Sequence, residues 1–444
     1  MGAKKIMKSI KFSSLKNSII ELKSFLILWL TQGLSGLGSA MTSFALTLWL
    51  YEQTGSALKT SLLGICSYAP YILMSIFAGA LSDRWNKKIT MLVCDTLAAC
   101  STVAVLLLYI NGWLRPFHLY ILNAINGLMN TVQQPASEVA TTLLIQKKYY
   151  QKTGALADLS RSVISILNPI LATAIFSLAG LKAVIYIDFI TFVIAFISLA
   201  LFIKIPEIQK NSIENQDKES MFTLVKEGIL WLKDNGLVFS MIIFMSGVNL
   251  VASTFDAVLP AFVLPKPNGG EKILGIVTSC SGIAMILGSL LAGILPKPKN
   301  RVKVVYITML FSLGIENFLL AFCRSPILWC IGQIIGWILV PVMAANQNVV
   351  MRTTIPPHIQ GRIYACRNTF QFFTIPIGYF LGGALTDKLF EPFMETQNGT
   401  WLNFLFGQGK GSGASMYMFV LGVFGIAICL ILGRIMNRYN FVEN

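Results

Sequence analysis

Four carboxylates interrupt long apolar stretches of the sequence, where an ionised side chain is costly to keep. They are Asp95, Asp188, Asp256 and Glu316. Burial favours the neutral form of a carboxylate, so such a residue can bind a proton and carry it. The alternative is a packing role, in which the acid accepts hydrogen bonds from Ser, Asn or Tyr. The packing role is favoured for Asp95 and Asp188, whereas Asp256, Glu316 and, after them, Asp188 are the candidates for proton coupling.

Polar residues recur at helical spacing along three of these stretches. The sets are Gln32, Ser35, Ser39 and Thr42; Asn123, Asn126, Asn130 and Gln134; and Ser246, Asn249, Ser253 and Asp256. Each set occupies one helix face, which is expected to point away from lipid. These faces, with Asn346 in a further stretch, predict a polar path for a substrate, and Asp256 is the first coupling candidate because it extends its set. The alternative is hydrogen bonding that only holds helices together.

These polar faces must lie on membrane-crossing helices, and the composition of the chain predicts such helices. Of the 444 residues, 55% are hydrophobic and 12% are charged, whereas soluble proteins carry about 25% charged residues. Apolar runs of about 20 residues, long enough to span a bilayer as helices, recur along the chain. We place spans at 25–48, 59–80, 89–110, 117–141, 159–179, 182–203, 237–263, 272–295, 303–322, 326–350, 364–386 and 415–436. The predicted fold class is an all-α membrane protein with twelve transmembrane helices.

Most of the basic residues fall on one side of this predicted arrangement, with only scattered cations such as Arg115 and Lys266 on the other, and the formal net charge is +15. The residues of the basic side include Lys4, Lys5, Lys8, Lys11, Lys16, Lys23, Arg84, Lys87, Lys88, Lys147, Lys148, Lys152, Lys297, Lys299, Arg301, Lys303, Arg352, Arg362, Arg434 and Arg438. An excess of Lys and Arg marks the cytoplasmic side, so both termini are predicted to be cytoplasmic and the loop 407–413 external. The pattern favours contact with anionic lipid over nucleic-acid binding.

A polar segment divides the chain near its middle. Residues 206–222 are predicted to link an N-terminal six-helix bundle, 1–205, to a C-terminal one, 223–444. The segments Gly79–Lys88 and Gly293–Val302 follow the second and eighth spans, as expected of parallel repeats. Residues 219–235 have an apolar face and predict an amphipathic helix on the cytoplasmic surface.

Residue types that bind metals or nucleotides are present without the required spacing. The eight cysteines lie in or beside apolar spans and form no CxxC pair, which favours helix packing over metal or disulfide chemistry. The glycine-rich segment 33–38 follows no strand, and Lys410 is followed by Gly411 where a phosphate-binding loop has Ser or Thr. The sequence therefore predicts no cofactor, no metal and no ATP-driven pump.

The segment from Gly79 to Lys88 resembles the loop motif of the major facilitator superfamily, G-x-L-x-D-R-x-x-[KR]-[KR]. The matching residues are Gly79, Leu81, Asp83, Arg84, Lys87 and Lys88. Gly79 permits a close helix approach, and Asp83 can accept hydrogen bonds from the N-terminus of a neighbouring helix. The alternative, an ordinary basic loop, explains the lysines but not Gly79 and Asp83 at this spacing.

Other segments are similar to the drug-exporter branch of this superfamily, which includes the macrolide efflux proteins. These segments are 31–56, 134–136 and 186–189. The resemblance implies that spans 1, 4 and 7 line the substrate path and that export proceeds by alternating access. Two departures concern the coupling mechanism. The fourth span lacks the arginine of many proton-coupled antiporters, and Asn168-Pro169 stands where they have Gly-Pro.

The expected function is secondary active export of an amphipathic small molecule, as in a macrolide or multidrug efflux pump driven by proton antiport. The expected setting is the inner membrane of a bacterium, with the protein as a monomer. Export of a siderophore or a lysolipid is the alternative within the fold, and a membrane receptor or scaffold is the alternative outside transport. An enzyme is disfavoured because no nucleophile, base or metal set converges.

Overall fold

The computed structural model describes residues 21–206, 221–356 and 359–439; within these ranges the side chains at 75–84, 147, 151, 152, 155, 221–226, 360–362 and 365 are not described. Most of the predicted linker and the first twenty residues therefore lie outside the described residues. The same holds for the side chains of Gly79, Leu81, Asp83 and Arg84 in the loop motif. Within the described ranges every regular element is a helix, so the predicted all-α class is confirmed.

Six helices form the first group. They are α1 (Lys23–Thr54), α2 (Ala57–Arg84), α3 (Lys87–Ile110), α4 (Pro116–Leu144), α5 (150–179) and α6 (181–197). The last two form one nearly continuous stretch, Tyr150–Ile197, that is broken at Gly180, where φ is 75° and ψ is 179°. Only glycine adopts such a backbone conformation at little cost, so Gly180 marks the turn between two crossings. A π-helical turn, Ser198–Phe202, extends α6.

A second group follows the amphipathic segment. Helix α7 (Met221–Asp234) covers the residues predicted to form an amphipathic helix. The remaining helices are α8 (Gly236–Val263), α9 (Glu271–Ile294), α10 (Arg301–Phe322), α11 (Pro326–Ile338), α12 (Val340–Thr354), α13 (Gln360–Phe372), α14 (Thr374–Leu385), α15 (Glu391–Glu395), α16 (Trp401–Phe406) and α17 (Ser412–Asn437). Helices α11 and α12 join at Leu339, and α13 and α14 join at Phe373, so each pair forms one long helix with a break.

Contacts are dense within each group and selective between them. In the first group α1 packs along α5 and α6, while α2 and α3 pack on α4. In the second, α8 packs on α14 and α17, and α10 packs on α11, α12 and α17. The two groups meet along α2 with α14 and along α5 with α9. Division into two six-helix bundles remains a prediction that this packing pattern favours.

Residue contacts give the relative directions of the helices that pack together. Ser56 meets Asp387, and Tyr71 meets Phe372, so α2 and α14 are antiparallel. The turns at 85–86, 145–149, 295–300 and 355–356 consequently share one end of the protein, here named the Lys-rich end. The turns at 111–115, 264–270 and 323–325 and the segment 386–411 share the other, here named the Gly407 end.

Seven helical stretches in the described ranges are long and apolar enough to cross a membrane. They are Lys87–Ile110, Leu156–Phe202, Gly236–Val263, Glu271–Ile294, Arg301–Phe322, Pro326–Thr354 and Ser412–Asn437. The second of these contains both α5 and α6. Helices α1 and α4 have 32 and 29 residues and carry two of the polar sets along their length. The count of twelve crossings therefore stays a prediction.

Candidate functional site

A cavity of about 460 Å³ lies between the two groups of helices. Its lining comes from α2, α4 and the junction of α13 with α14. The lining residues are Ser67, Tyr68, Tyr71, Gly127, Asn130, Thr131, Gln134, Phe372 and Ile375. Rings on one side and amide or hydroxyl groups on the other suit a ligand with apolar and polar faces.

The aromatic part of this cavity connects the two groups. Tyr71 on α2 contacts Phe372 on α13, with ring centroids 6.3 Å apart. Tyr68 on α2 stacks on Tyr379 of α14, with centroids 6.0 Å apart and ring planes at 24°. These residues were not predicted from the sequence, because aromatic residues are common on lipid-facing and packed helix surfaces alike. Two tyrosines one turn apart, Tyr68 and Tyr71, were the only available signal.

The polar set on α4 contributes directly to the cavity. Asn130 and Gln134 line it with exposed side chains. Asn123, at the start of the set, instead donates from Nδ2 to the Leu63 carbonyl of α2 at 3.2 Å. Asn126 Oδ1 is buried and has no hydrogen-bond partner among the described protein atoms. The set thus combines helix pairing at one end with cavity lining at the other.

The polar set on α1 meets two of the membrane-depth acids. Gln32 Nε2 donates to Asp95 Oδ2 at 3.2 Å, and Gln133 of α4 donates to Asp95 Oδ1 at 2.6 Å. Ser39 donates to the buried Asp188 of α6 at 3.0 Å. Both acids are therefore bonded across helices, which is the geometry of a packing acid. Ser35, between them, is partly exposed.

On α8 the polar set lies against the second group's own helices. Asn249 Nδ2 donates to the Gln371 carbonyl at 2.9 Å, and the Ser246 carbonyl accepts from Thr374 at 2.8 Å. Ser253 is buried beside Gly378, where a Cβ would overlap its hydroxyl. Each of these residues joins α8 to α13 or α14.

Asp256 differs from the rest of its set because its side chain is exposed although it lies within α8. Its charge interacts with Tyr68, Tyr379 and Glu316. It therefore lies near the tyrosine stack that borders the cavity. The two ion pairs found in the described ranges, Lys148–Glu21 and Arg161–Asp158, do not involve it.

Glu316 is a buried carboxyl on α10, 5% exposed. It packs against Gly336 of α11, where a Cβ would overlap the carboxyl group. Its Oε1 has no hydrogen-bond partner among the described protein atoms. A buried polar oxygen without a partner is costly and marks Glu316 as a residue with a role beyond helix packing.

Asn346 on α12, the last residue predicted for the path, is buried and accepts from Arg301 Nη1 at 3.0 Å. At the Lys-rich end, Lys88 Nζ donates to the Ala200 and Ile203 carbonyls at 2.9 and 2.7 Å. This contact ties the start of α3 to the end of α6, where a cation is favourable beside the last carbonyls. Lys87 is buried and donates to the Trp85 carbonyl at 3.2 Å.

The two groups are joined by hydrogen bonds toward the Gly407 end. Asp387, just after α14, accepts from Ser56 and from the first backbone N–H groups of α2. Ser177 of α5 donates to Glu271 of α9 at 2.6 Å. Ser279 of α9 donates to the Ile166 carbonyl at 3.0 Å. Between the cavity and the Gly407 end, α2 and α14 are therefore in continuous contact.

Known proteins with similar sequences are transporters. A family model described as the Major Facilitator Superfamily matches residues 28–266. Macrolide efflux protein A of Streptococcus pyogenes is 24% identical over 369 residues, covering 82% of this chain and 90% of that protein. The multidrug efflux pump Tap of Mycolicibacterium fortuitum is 24% identical over 367 residues, covering 80% and 87%.

Solved structures with the same fold are transporters as well. A bacterial homologue of the human lysosomal transporter Spinster aligns with a TM-score of 0.68 at 15% identity, covering 96% of this chain and 99% of that one. A mutant of the nucleoside transporter NupG aligns with a TM-score of 0.68 at 15% identity, covering 92% and 99%.

Helices long enough to span a bilayer, two groups of them and a cavity between define a multi-pass membrane transporter. The family match covers more than half of the chain, and the chain belongs to the Major Facilitator Superfamily.

Proposed function

We propose that the protein exports amphipathic small molecules by alternating access, as a macrolide or multidrug efflux pump driven by proton entry. The observation that carries the proposal is the cavity between the groups, lined by Tyr68, Tyr71 and Phe372 on one side and by Asn130 and Gln134 on another. Rings accept flat or aliphatic surfaces, while amides accept or donate hydrogen bonds. The efflux relatives support the same direction of transport.

In this proposal the Lys-rich end faces the cytoplasm. An excess of Lys and Arg in short loops sets topology in bacterial membranes. The cavity then lies in contact with the cytoplasmic half of the protein, while α2 and α14 close it toward the Gly407 end. A substrate entering from the cytoplasm would leave through the Gly407 end after the two groups separate there.

Proton coupling is assigned to Asp256 and Glu316, which take no part in the ion pairs found within the described residues. Asp256 lies near the tyrosine stack, and Glu316 is a buried carboxyl with one unpartnered oxygen in the described structure. In this proposal Asp256 exchanges the proton, and Glu316 is the second candidate acid. Asp188 is the less favoured coupling site because it is already bonded to Ser39.

The test uses inverted membrane vesicles and a fluorescent macrolide. Imposed acidification of the lumen should drive uptake, and a protonophore should abolish it. Phe372→Ala removes a cavity ring and should reduce uptake, whereas Phe380→Ala, at a ring 51% exposed on α14, should not. If no macrolide of a panel is taken up but a siderophore or a lysolipid is transported, the proposed substrate class is wrong. Absence of any gradient-dependent flux would support a receptor.

A further inference from the structure

Asp387 caps a helix that belongs to the other group. Its Oδ2 accepts from Ser56 Oγ at 2.6 Å and from the Leu58 backbone N–H at 2.9 Å. Its Oδ1 accepts from the Ala57 backbone N–H at 2.9 Å. Ser56 in turn accepts from the Lys59 N–H at 3.1 Å, as a local N-cap does. Asp387 thus completes the first turn of α2 from 331 residues away.

Other side-chain caps in the described residues come from the same helix group: Glu391 accepts from the Gly411 and Ala414 N–H groups at the start of α17. Asn86 accepts from the Ile89 N–H at the start of α3, and Asn300 accepts from the Lys303 N–H at the start of α10. The first N–H groups of a helix lack intrahelical partners and carry a partial positive charge, so an anion there is favoured. A hydrogen bond to a carboxylate is stronger than one to a neutral acceptor. Helix α2 therefore loses part of its N-terminal stabilisation whenever Asp387 moves away.

Helices α2 and α14 are closely packed next to Asp387. At Gly383, one turn earlier on α14, a Cβ would overlap Ser61 and come within 2.5 Å of the Leu58 Cα. Gly64 lies similarly against the Tyr379 ring, with a Cβ only 2.8 Å from its nearest ring atom. The helices therefore touch along one line that runs from the Asp387 bonds to the tyrosine stack. Opening that line at the Gly407 end requires all three Asp387 bonds to break.

We infer that Asp387 is a positioning residue of the transport cycle, which holds the Gly407 end closed by binding the N-terminus of α2. This inference rests on alternating access in the proposed function but not on the identity of the substrate. Loss of the carboxylate shifts the molecule toward the state that is open at this end. The Asn side chain keeps the size of Asp but presents an NH₂ group to N–H donors, so at least one bond becomes repulsive.

The experiment measures the distance across the Gly407 end. Spin labels at Asn111 of the first group and Gln408 of the second, both exposed, are introduced into a cysteine-free protein in lipid nanodiscs. Pulsed electron spin resonance then gives the populations of short and long distances. Asp387→Asn should raise the ratio of the long-distance to the short-distance population by about tenfold, because losing one charge-assisted hydrogen bond changes an equilibrium constant by about that factor. Glu395→Gln, an exposed acid in the same segment, is the matched control and should leave it unchanged.

A second variant removes a donor instead of the acceptor. Ala57→Pro deletes one N–H at the first helical position, where proline is well tolerated, and keeps Asp387 intact. It should shift the distances in the same direction. Distance distributions of Asp387→Asn and Ala57→Pro that both match the Glu395→Gln control would overturn the inference. The readout needs no substrate, so a failed macrolide-uptake assay and a failed distance shift are separate results.

Discussion

Tyr68 of α2 and Tyr379 of α14 form a stacked ring pair that connects the two helix groups at the edge of the cavity, with ring centroids 6.0 Å apart. Tyr68 also lines the cavity, so the stack both joins the groups and shapes the substrate surface. Asp256 lies within electrostatic range of both rings.

Removal of one ring of the pair should weaken substrate binding. We expect Tyr68→Ala to lower the affinity for a transported compound by about 2- to 10-fold, because an aromatic pair contributes about 0.5–1.5 kcal/mol beyond its area. Tyr68→Phe keeps the ring and should stay near the wild-type value. Binding is measured on purified protein by quenching of a fluorescent substrate. Equal affinities for the Ala and Phe variants would show that the ring does not contact the ligand.

A methyl group at Gly127 should destabilise the first group. A Cβ there would overlap the Ser67 carbonyl oxygen, so α2 and α4 would have to separate. We expect Gly127→Ala to cost about 1–3 kcal/mol, the usual range for overpacking. Gly154→Ala is the matched control because a Cβ at that position meets nothing within 4 Å. Fluorescence-detected size exclusion after heating compares the two, and equal melting midpoints would contradict the close contact.

Asp83, whose side chain lies outside the described residues, carries a prediction from the loop motif alone. We expect Asp83→Asn to leave the amount of protein in the membrane near normal and to reduce transport strongly, because a charge that favours one access state is lost. Quantitative blotting and vesicle uptake are measured on the same membranes, with Asp158→Asn as a control acid at the Lys-rich end. Wild-type uptake by Asp83→Asn at matched abundance would remove the residue from the mechanism.

The Gly407 end should open more readily as the pH rises. Glu52 lies four residues beyond the predicted span 25–48, and partial burial and a hydrogen bond with Glu271 raise its pKa to about 7. Proton binding is therefore tighter when Glu52 and Glu271 are together, so their contact is favoured at low pH and is lost as the pH rises through about 7. Asp387, Glu391 and Lys410 also lie near this end of α1.

Distances between labels at 111 and 408 over a pH series test this dependence. The long-distance population should grow with pH in the wild type. Glu52→Gln, which keeps a hydrogen-bond donor at every pH, should flatten the curve at the closed level. A curve for Glu52→Gln that follows the wild type would assign the pH response to another group.

Asp256 is expected to be required for coupling rather than for binding. We predict that Asp256→Asn abolishes pH-driven transport while binding of a neutral drug persists, because the amide cannot exchange a proton. Both quantities are measured on purified protein, the first in proteoliposomes with an imposed pH gradient. Asp158→Asn, an exposed acid paired with Arg161, serves as the control. Full gradient-driven transport by Asp256→Asn would shift the coupling role to Glu316.

The helical fold was predictable because it depends on the length and hydropathy of local segments. Runs such as 237–263 and 303–322 coincide closely with α8 and α10. The turn at Gly180 falls in the gap predicted between the spans 159–179 and 182–203. The breaks at Leu339 and Phe373 lie inside the predicted spans 326–350 and 364–386, and hydropathy did not reveal them because they depend on how neighbouring helices pack.

The candidate site was predictable only in part, because periodicity identifies a polar face but not its neighbour. Asn130 and Gln134 line the cavity, whereas Gln32, from an equally regular set, is bonded to Asp95. Tyr71 and Phe372 meet across about 300 residues of chain, and no local pattern records that contact. Asp387 shows the same limit, since an acid at the end of one helix becomes a cap only when the start of another helix is placed beside it.

The bonds of Asp387 also have an evolutionary consequence. Two of its three donors are main-chain N–H groups, which are present whatever amino acid except proline occupies positions 57 and 58. Substitutions at positions 57 and 58 therefore leave the donor side of the contact largely intact. Inherited changes in the equilibrium between the two access states are therefore expected mainly at position 387. Selection for faster or slower turnover should be visible there first.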